Sequence, residues 1–258
     1  AAEHFRQGDV WNLEAADLPG QADLAWASSP CQDFSLSGAR AGLAGGRSSA
    51  FFGFWWLMQA LNAQGRAPQT IVIENVVGLL TSHGGADFTA LCEALAAEGY
   101  VFGALEMDAA AFTPQSRPRV FVVATRSPLH RQRFEAEQAA RGRAIGAVYR
   151  RIRVEQGVRV QRAEVRLDGL AGCLRTPAGG SSRQMILVGD EGGLRSRLLT
   201  PREGARLMGL PESYALPASA NQALHLVGDG VAVPVVAWLA RGLLSPLILG
   251  TRAAIAAE

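Results

Sequence analysis

The stretch Thr70-Ile71-Val72-Ile73-Glu74-Asn75-Val76 decides how this chain is read. Its first four residues form a short apolar run that ends abruptly in a carboxylate, the pattern of a buried strand over Thr70–Ile73 with Glu74 at its carboxyl end. Similar runs lie on either side. Leu24–Ala27 predicts a strand that ends at the loop Ser28-Ser29-Pro30-Cys31, and Val120–Ala124 predicts another. Helical patterns fall between these runs. Phe51–Asn62 has a wide apolar face, and its aromatic cluster (Phe51, Phe52, Phe54, Trp55, Trp56) reads as a buried helix face rather than a stacking platform. Phe88, Leu91, Cys92 and Leu95 recur at helical spacing, with Asp87 as the predicted N-cap and Gly99 as the stop, which makes Cys92 structural. Short strands alternating with helices up to about residue 125 predict βαβ units and an α/β fold with a mostly parallel sheet.

Composition narrows the class. A chain of 258 residues with 48% hydrophobic content is long enough to bury one large core, or one large and one small. No run of about 18 apolar residues is evident, so no transmembrane helix and no membrane partner are expected. Three cysteines, Cys31, Cys92 and Cys173, are odd in number and far apart. This predicts no disulfide framework, no metal site and a reducing, cytoplasmic setting. The net charge of +2 is uninformative, but its distribution is not: Arg126–Arg166 holds 11 Arg against four Glu and no Asp. The chain has no lysine, so every fixed side-chain cation is a guanidinium, the group suited to bidentate contacts with phosphate and guanine.

Beyond Arg126 the pattern loosens. Residues 127–147 are helix-friendly, and Val154–Leu167 alternates as half-exposed strands do. Gly172–Gln184 is loop-rich and Met185–Val188 is a further strand. Thr200-Pro201-Arg202-Glu203 predicts a helix start, with Thr as cap, Pro in the first turn and Glu203 at the capping-box position. Val231–Leu244 predicts a last helix. The expected division is a catalytic α/β part over 1–126, a recognition region over 127–197 and a helical return over 198–258.

Three short motifs carry the chemistry: Pro30-Cys31-Gln32, Glu74-Asn75-Val76 and Gln115-Ser116-Arg117-Pro118-Arg119, each beside a strand. A thiolate, a carboxyl group and guanidiniums together can attack and activate an electron-poor ring. Addition of a thiolate to one carbon of such a ring makes the neighbouring carbon nucleophilic, and an acid at a ring nitrogen prevents charge from building up there. Taken singly, each motif has a plainer reading: an inert loop cysteine, a turn cap, a solvated basic edge.

In this order, the motifs resemble the DNA (cytosine-5) methyltransferase family. Pro30-Cys31-Gln32-Asp33-Phe34-Ser35 resembles its nucleophile loop, and the Glu-Asn-Val and Gln-x-Arg-x-Arg signatures follow at Glu74 and Gln115. Arg197–Pro211 resembles the helix after the family's recognition region, and Gly228-Asp229-Gly230-Val231 its last motif. The likeness spans about residues 7 to 244. It implies a Rossmann-like fold that uses S-adenosylmethionine to methylate a cytosine flipped out of double-stranded DNA, in a restriction–modification setting. Cys31 would be the nucleophile, Glu74 the acid, and Arg117 and Arg119 base- and phosphate-binding residues. Asp9, Pro30, Ala50 and Asp229 would hold the cofactor. Gln32, Ser35, Asn75 and Gln115 would line the substrate site. Within the recognition region, Arg175, Ser181, Ser182, Arg183 and Gln184 are candidate groove contacts, equally readable as a polar hairpin loop.

Some features depart from the family. Asp229 stands where asparagine is usual and Met208 where glutamine is common. No Gly-x-Gly loop for the methionine part of the cofactor precedes Leu24 or follows Leu244. The chain is therefore expected to be N-terminally truncated, the missing segment lying in a longer protein or on a companion chain. Two other functions are weighed beside this one: a cofactor-deficient piece that only binds DNA, and a tRNA cytosine-5 methyltransferase.

Overall fold

The computed structural model describes residues 7–29, 50–126, 147–155, 158–166, 168–177, 183–190 and 193–249. Packing divides the chain into two compact units: residues 1–107, 119–133 and 243–258, and residues 108–118 and 134–242. These boundaries fall elsewhere than at 126 and 197, because the helices after residue 198 pack with the second unit.

The first unit is built on a four-stranded sheet. Its strands are β1 (Leu24–Ser28), β2 (Thr70–Val76), β3 (Val101–Asp108) and β4 (Pro118–Thr125), in the order β1-β2-β4-β3. β1 and β2 run parallel, with Leu24 opposite Thr70 and Ser28 opposite Glu74. β4 lies antiparallel to β2, with Thr125 opposite Thr70 and Arg119 opposite Val76. The described sheet is therefore mixed where a mostly parallel one was expected. The short connection after β3 returns the chain between β2 and β3, and leaves β3 as a largely exposed edge.

Helix α1 (Ala50–Ala63) buries Phe51, Trp55 and Met58 at helical spacing, with the Phe51 and Trp55 rings stacked at 6.3 Å. Trp56 is on the other side of the helix, 47% exposed. The buried face packs with Ile71, Ile73, Val120 and Val122 of the sheet and with Leu91 and Leu95 of α2 (Ala86–Ala97) into one core. Gly53 is required in α1: a Cβ there would lie 2.8 Å from Val10 and 3.2 Å from the Trp11 ring, which pack against it.

Asp87 does not cap α2 as expected. The cap is Gly85, left-handed at φ 91°, at the end of a left-handed run through His83 and Gly84. The buried Asp87 carboxylate instead takes the Ser82 hydroxyl at 2.5 Å and lies 2.7 Å from the His83 ring. Cys92 is half-buried, between the buried Leu91 and Leu95.

The second unit holds an antiparallel sheet of order β6-β5-β7-β8, made of β5 (Ala147–Glu155), β6 (Val158–Arg166), β7 (Met185–Asp190) and β8 (Gly193–Leu198). Helix α3 (Pro201–Leu207) begins with the predicted capping box, in which Thr200 and Glu203 each receive the other's backbone N–H. Helices α4 (Ala220–Asp229) and α5 (Val233–Leu239) follow. By length and composition, Ala220–Leu249 is one apolar helical run of membrane-spanning size, a run the sequence reading had not picked out. It breaks at Gly230–Ala232, and Leu224, Val227, Val235 and Leu239 are buried within the protein, as in a core helix.

Candidate active site

Glu74 occupies the carboxyl end of β2, where open α/β sheets present their ligand-binding edge. Its side chain is nearly buried and paired: Arg119 Nε lies 2.9 Å from Oε1. The register explains the pairing. Arg119 stands opposite Val76, so it reaches Glu74 diagonally on the same sheet face. Both residues belong to the first unit, and both were singled out from the sequence.

Asn75, next along β2, points to the opposite face because side chains alternate along a strand. Its carboxamide is already engaged: Nδ2 donates to the Ser29 carbonyl at 3.1 Å and Oδ1 accepts the Val76 N–H at 2.9 Å. In this structure Asn75, expected to line the substrate site, ties β2 to the end of β1.

Three more of the expected site residues have internal partners. Gln115 is 0% exposed; its Nε2 donates to the Leu207 carbonyl at 2.9 Å and its Oε1 accepts the Leu174 N–H at 3.1 Å. Gln184 is buried, donating to the carbonyls of Gly172 and Cys173 and accepting the Gly172 N–H. Arg117, 4% exposed, directs its guanidinium to the carbonyls of Leu174, Gly228 and Gly230 and to Cys173 Sγ. These carbonyls anchor the guanidinium within the second unit. Of the two arginines in the motif, only Arg119 faces the carboxylate.

The sequence reading missed Asp108. Its carboxylate accepts the Arg117 N–H at 2.6 Å and the Ser116 hydroxyl at 3.3 Å, and so holds the Gln-Ser-Arg turn in place. An aspartate opening the short turn Ala109–Ala111 is the signal that could have found it.

The other candidates fall in several places. Asp9 is exposed and caps the turn Val10–Asn12 through the Trp11 N–H at 3.0 Å. With Gln7, Gly8, Asn12 and Leu13 it lines an open cleft of about 220 Å³. Ala50 is exposed at the start of α1, and Asp229 is exposed at the end of α4. Arg175 is exposed, and Arg183 donates to the Leu199 carbonyl at 3.3 Å. Pro30, Cys31, Gln32, Ser35, Ser181 and Ser182 lie outside the described residues.

A nearly buried carboxylate paired with a guanidinium at a strand end, with the Pro-Cys motif just beyond the adjacent strand, matches one family along almost the whole chain. The model for C-5 cytosine-specific DNA methylases matches residues 2–162 and 180–245. The chain belongs to that family. It is a DNA methyltransferase of the cytosine C-5 class, and its reaction requires a methyl donor and DNA as substrate.

Among curated proteins it is similar to the type II methyltransferase M.NlaX of Neisseria lactamica, with 28% identity over 90% of this chain and 79% of that protein. M.DsaV of Dactylococcopsis salina is 29% identical over 92% of this chain and 73% of its own length. Among solved structures, the S. pombe Dnmt2 methyltransferase superposes with a TM-score of 0.63 at 20% identity, covering 94% of this chain and 84% of that one. An E. coli prophage-encoded structure described as a putative DNA modification methyltransferase gives 0.59 at 15% identity over 93% and 86%. These likenesses establish the fold.

Proposed function

We propose that the chain methylates carbon 5 of a cytosine flipped out of duplex DNA, at a specific site and through a covalent Cys31 adduct, in a cytoplasmic restriction–modification system. The observation that carries this reading is the nearly buried Glu74 carboxylate, paired with Arg119 at the carboxyl end of β2. The register puts Glu74 beside Ser28, three residues before Cys31.

The proposed chemistry follows from those positions. The Cys31 thiolate adds to carbon 6, and the displaced electron pair moves onto the ring. Glu74 shares a proton with ring nitrogen 3, so charge is neutralised as the bond forms. Arg119 steadies the carboxylate and holds the base carbonyl. Carbon 5 thereby becomes nucleophilic; once methylated it gives up its proton to water, Glu74 takes its proton back from ring nitrogen 3, and the electron pair left on carbon 5 expels the thiolate and restores the aromatic ring.

S-adenosylmethionine, when bound, supplies an electrophilic methyl group. The Asp9 cleft fits the adenine end of such a donor, since an exposed carboxylate can accept a hydrogen bond from an exocyclic amine. Pro30, Ala50 and Asp229 are assigned to the same cofactor by their place in the motifs. For DNA, the exposed Arg175 together with Ser181 and Ser182 are the proposed groove contacts.

The deciding experiment uses duplex DNA containing 5-fluorocytosine, which traps the covalent adduct. The wild-type chain should form a crosslink that Cys31→Ser abolishes. A crosslink surviving in Cys31→Ser would remove the thiol from the mechanism.

A further inference from the structure

We propose that Asn75 is a positioning residue for the Cys31 nucleophile, acting through the Ser29 carbonyl. The inference rests on the reading of Cys31 given above and adds the device that fixes where its loop begins.

Three observations meet at Asn75. Its carboxamide spans from β2 to the exit of β1, Nδ2 donating to the Ser29 carbonyl at 3.1 Å. Ser29 lies two residues before Cys31 in the sequence and ends the described stretch 7–29. The far end of the carboxamide is fixed as well: Oδ1 accepts the Val76 N–H at 2.9 Å, which prevents the amide from swivelling. Finally, Asn75 is 3% exposed and alternates onto the face that carries Ile71 and Ile73, both fully buried in the core. Glu74 is on the other face with Arg119. Neighbours that face opposite ways cannot grip the same base, so in this motif the carboxylate is left to the ring and the carboxamide to the backbone.

The consequence is geometric. Glu74 and Ser28 sit opposite each other on adjacent parallel strands, and the Asn75 bridge ties the residue after Ser28, two positions ahead of Cys31, to β2. Small misplacements of a reacting group are costly in rate because the entropy of alignment is no longer prepaid.

The test uses the full chain with Asn75→Ala and Asn75→Asp. The second variant is isosteric and can still accept the Val76 N–H, but it loses the donor to Ser29 whenever it is ionised. Alkylation of Cys31 by iodoacetamide, followed by peptide mass spectrometry, needs neither DNA nor methyl donor. It should change at least fivefold in both variants, with Cys92 and Cys173 staying within twofold. In a second arm, release of tritium from duplex DNA carrying [5-³H]cytosine reports thiolate addition at carbon 6, exchange of the carbon 5 hydrogen with solvent and expulsion of the thiolate. Its kcat should fall at least 30-fold while KM for DNA stays within threefold. For Asn75→Asp it should recover towards wild type as pH falls, because a protonated carboxyl again donates to Ser29.

Unchanged Cys31 alkylation in both variants would overturn the proposal. So would a parallel change in kcat and KM, or an Asn75→Asp profile parallel to wild type. A wild-type chain that released no tritium, with the alkylation shift present, would count against the methyltransferase reading and leave the bridge standing.

Discussion

Arg119 Nε sits 2.9 Å from Glu74 Oε1, across a diagonal fixed by the antiparallel pairing of β2 and β4. A carboxyl group this buried is costly without a partner, and the guanidinium supplies one. Glu74→Gln preserves shape and removes the proton-sharing group. Methyl transfer should fall about 100-fold or more, with DNA affinity within threefold, read by single-turnover assays and filter binding. Arg119→Ala leaves the carboxylate without this partner and should cost about 2 kcal/mol in urea unfolding.

Arg117 answers to a different measurement. Its guanidinium serves the carbonyls of Leu174, Gly228 and Gly230, so Arg117→Ala should lower unfolding free energy by about 3 kcal/mol as those acceptors lose a buried donor. Arg117→Lys should recover little of this, because an ammonium cannot reproduce the planar fork. The salt dependence of DNA binding should be unchanged. A loss of about one unit from its slope would instead mark Arg117 as a phosphate ligand.

Gly228 marks a close approach that only glycine permits. A Cβ there would meet the Thr176 nitrogen at 2.5 Å and the Arg175 carbonyl carbon at 2.6 Å, both backbone atoms unable to yield cheaply. Gly228→Ala should cost about 1–3 kcal/mol. Gly8→Ala, where nothing lies within 4 Å, should stay within about 0.5 kcal/mol. Differential scanning calorimetry on the two variants gives the comparison.

The α3 capping box should leave a signature in acid. The Arg197 guanidinium, with help from Thr200, holds the Glu203 carboxyl at about 2, below its ordinary value of 4.5. A depressed folded-state pKa means the contribution is complete above about 4.5 and is lost as pH falls toward 2. Glu203→Gln should flatten stability against pH across that window, and Thr200→Ala should cost about 1 kcal/mol at neutral pH. An unfolding series from pH 6 to 2 distinguishes the two contributions.

Asp87 should behave in the same direction. Burial pushes its carboxyl up, but hydrogen bonds from Ser82 and His83 and the charge of His83 bring it below the ordinary value. Stability should therefore fall as pH drops through that lowered pKa, and Asp87→Asn should remove this component, as seen in the same acid series.

Much of this was legible beforehand. The apolar run ending in Glu74, the helix over Phe51–Asn62 and the Thr200–Glu203 capping box depend on local periodicity and on groups three residues apart, which sequence states directly. The tasks of Asn75, Gln115, Arg117 and Gln184 were not legible. A polar residue in a functional motif looks the same whether it meets a substrate or a distant carbonyl, and Gln115 finds its partners at Leu174, Leu207 and Met208. The Asp87 cap failed because three left-handed residues in a row, beginning at His83, move the helix start to Gly85.

By itself the sequence determined the family, the order of the motifs and the residue types able to attack and protonate a cytosine ring, because those depend on side-chain chemistry and on spacing along the chain. Only the tertiary structure decided which partners within the protein Glu74, Asn75, Arg117 and Arg119 meet. Glu74 and Asn75 are covalent neighbours, yet strand alternation turns one toward Arg119 and the other toward Ser29. Arg117 and Arg119 are two residues apart, yet one is consumed by buried carbonyls and the other meets the carboxylate. Which face of a strand a residue occupies, and which unpaired carbonyl lies within reach, is set by packing across the fold.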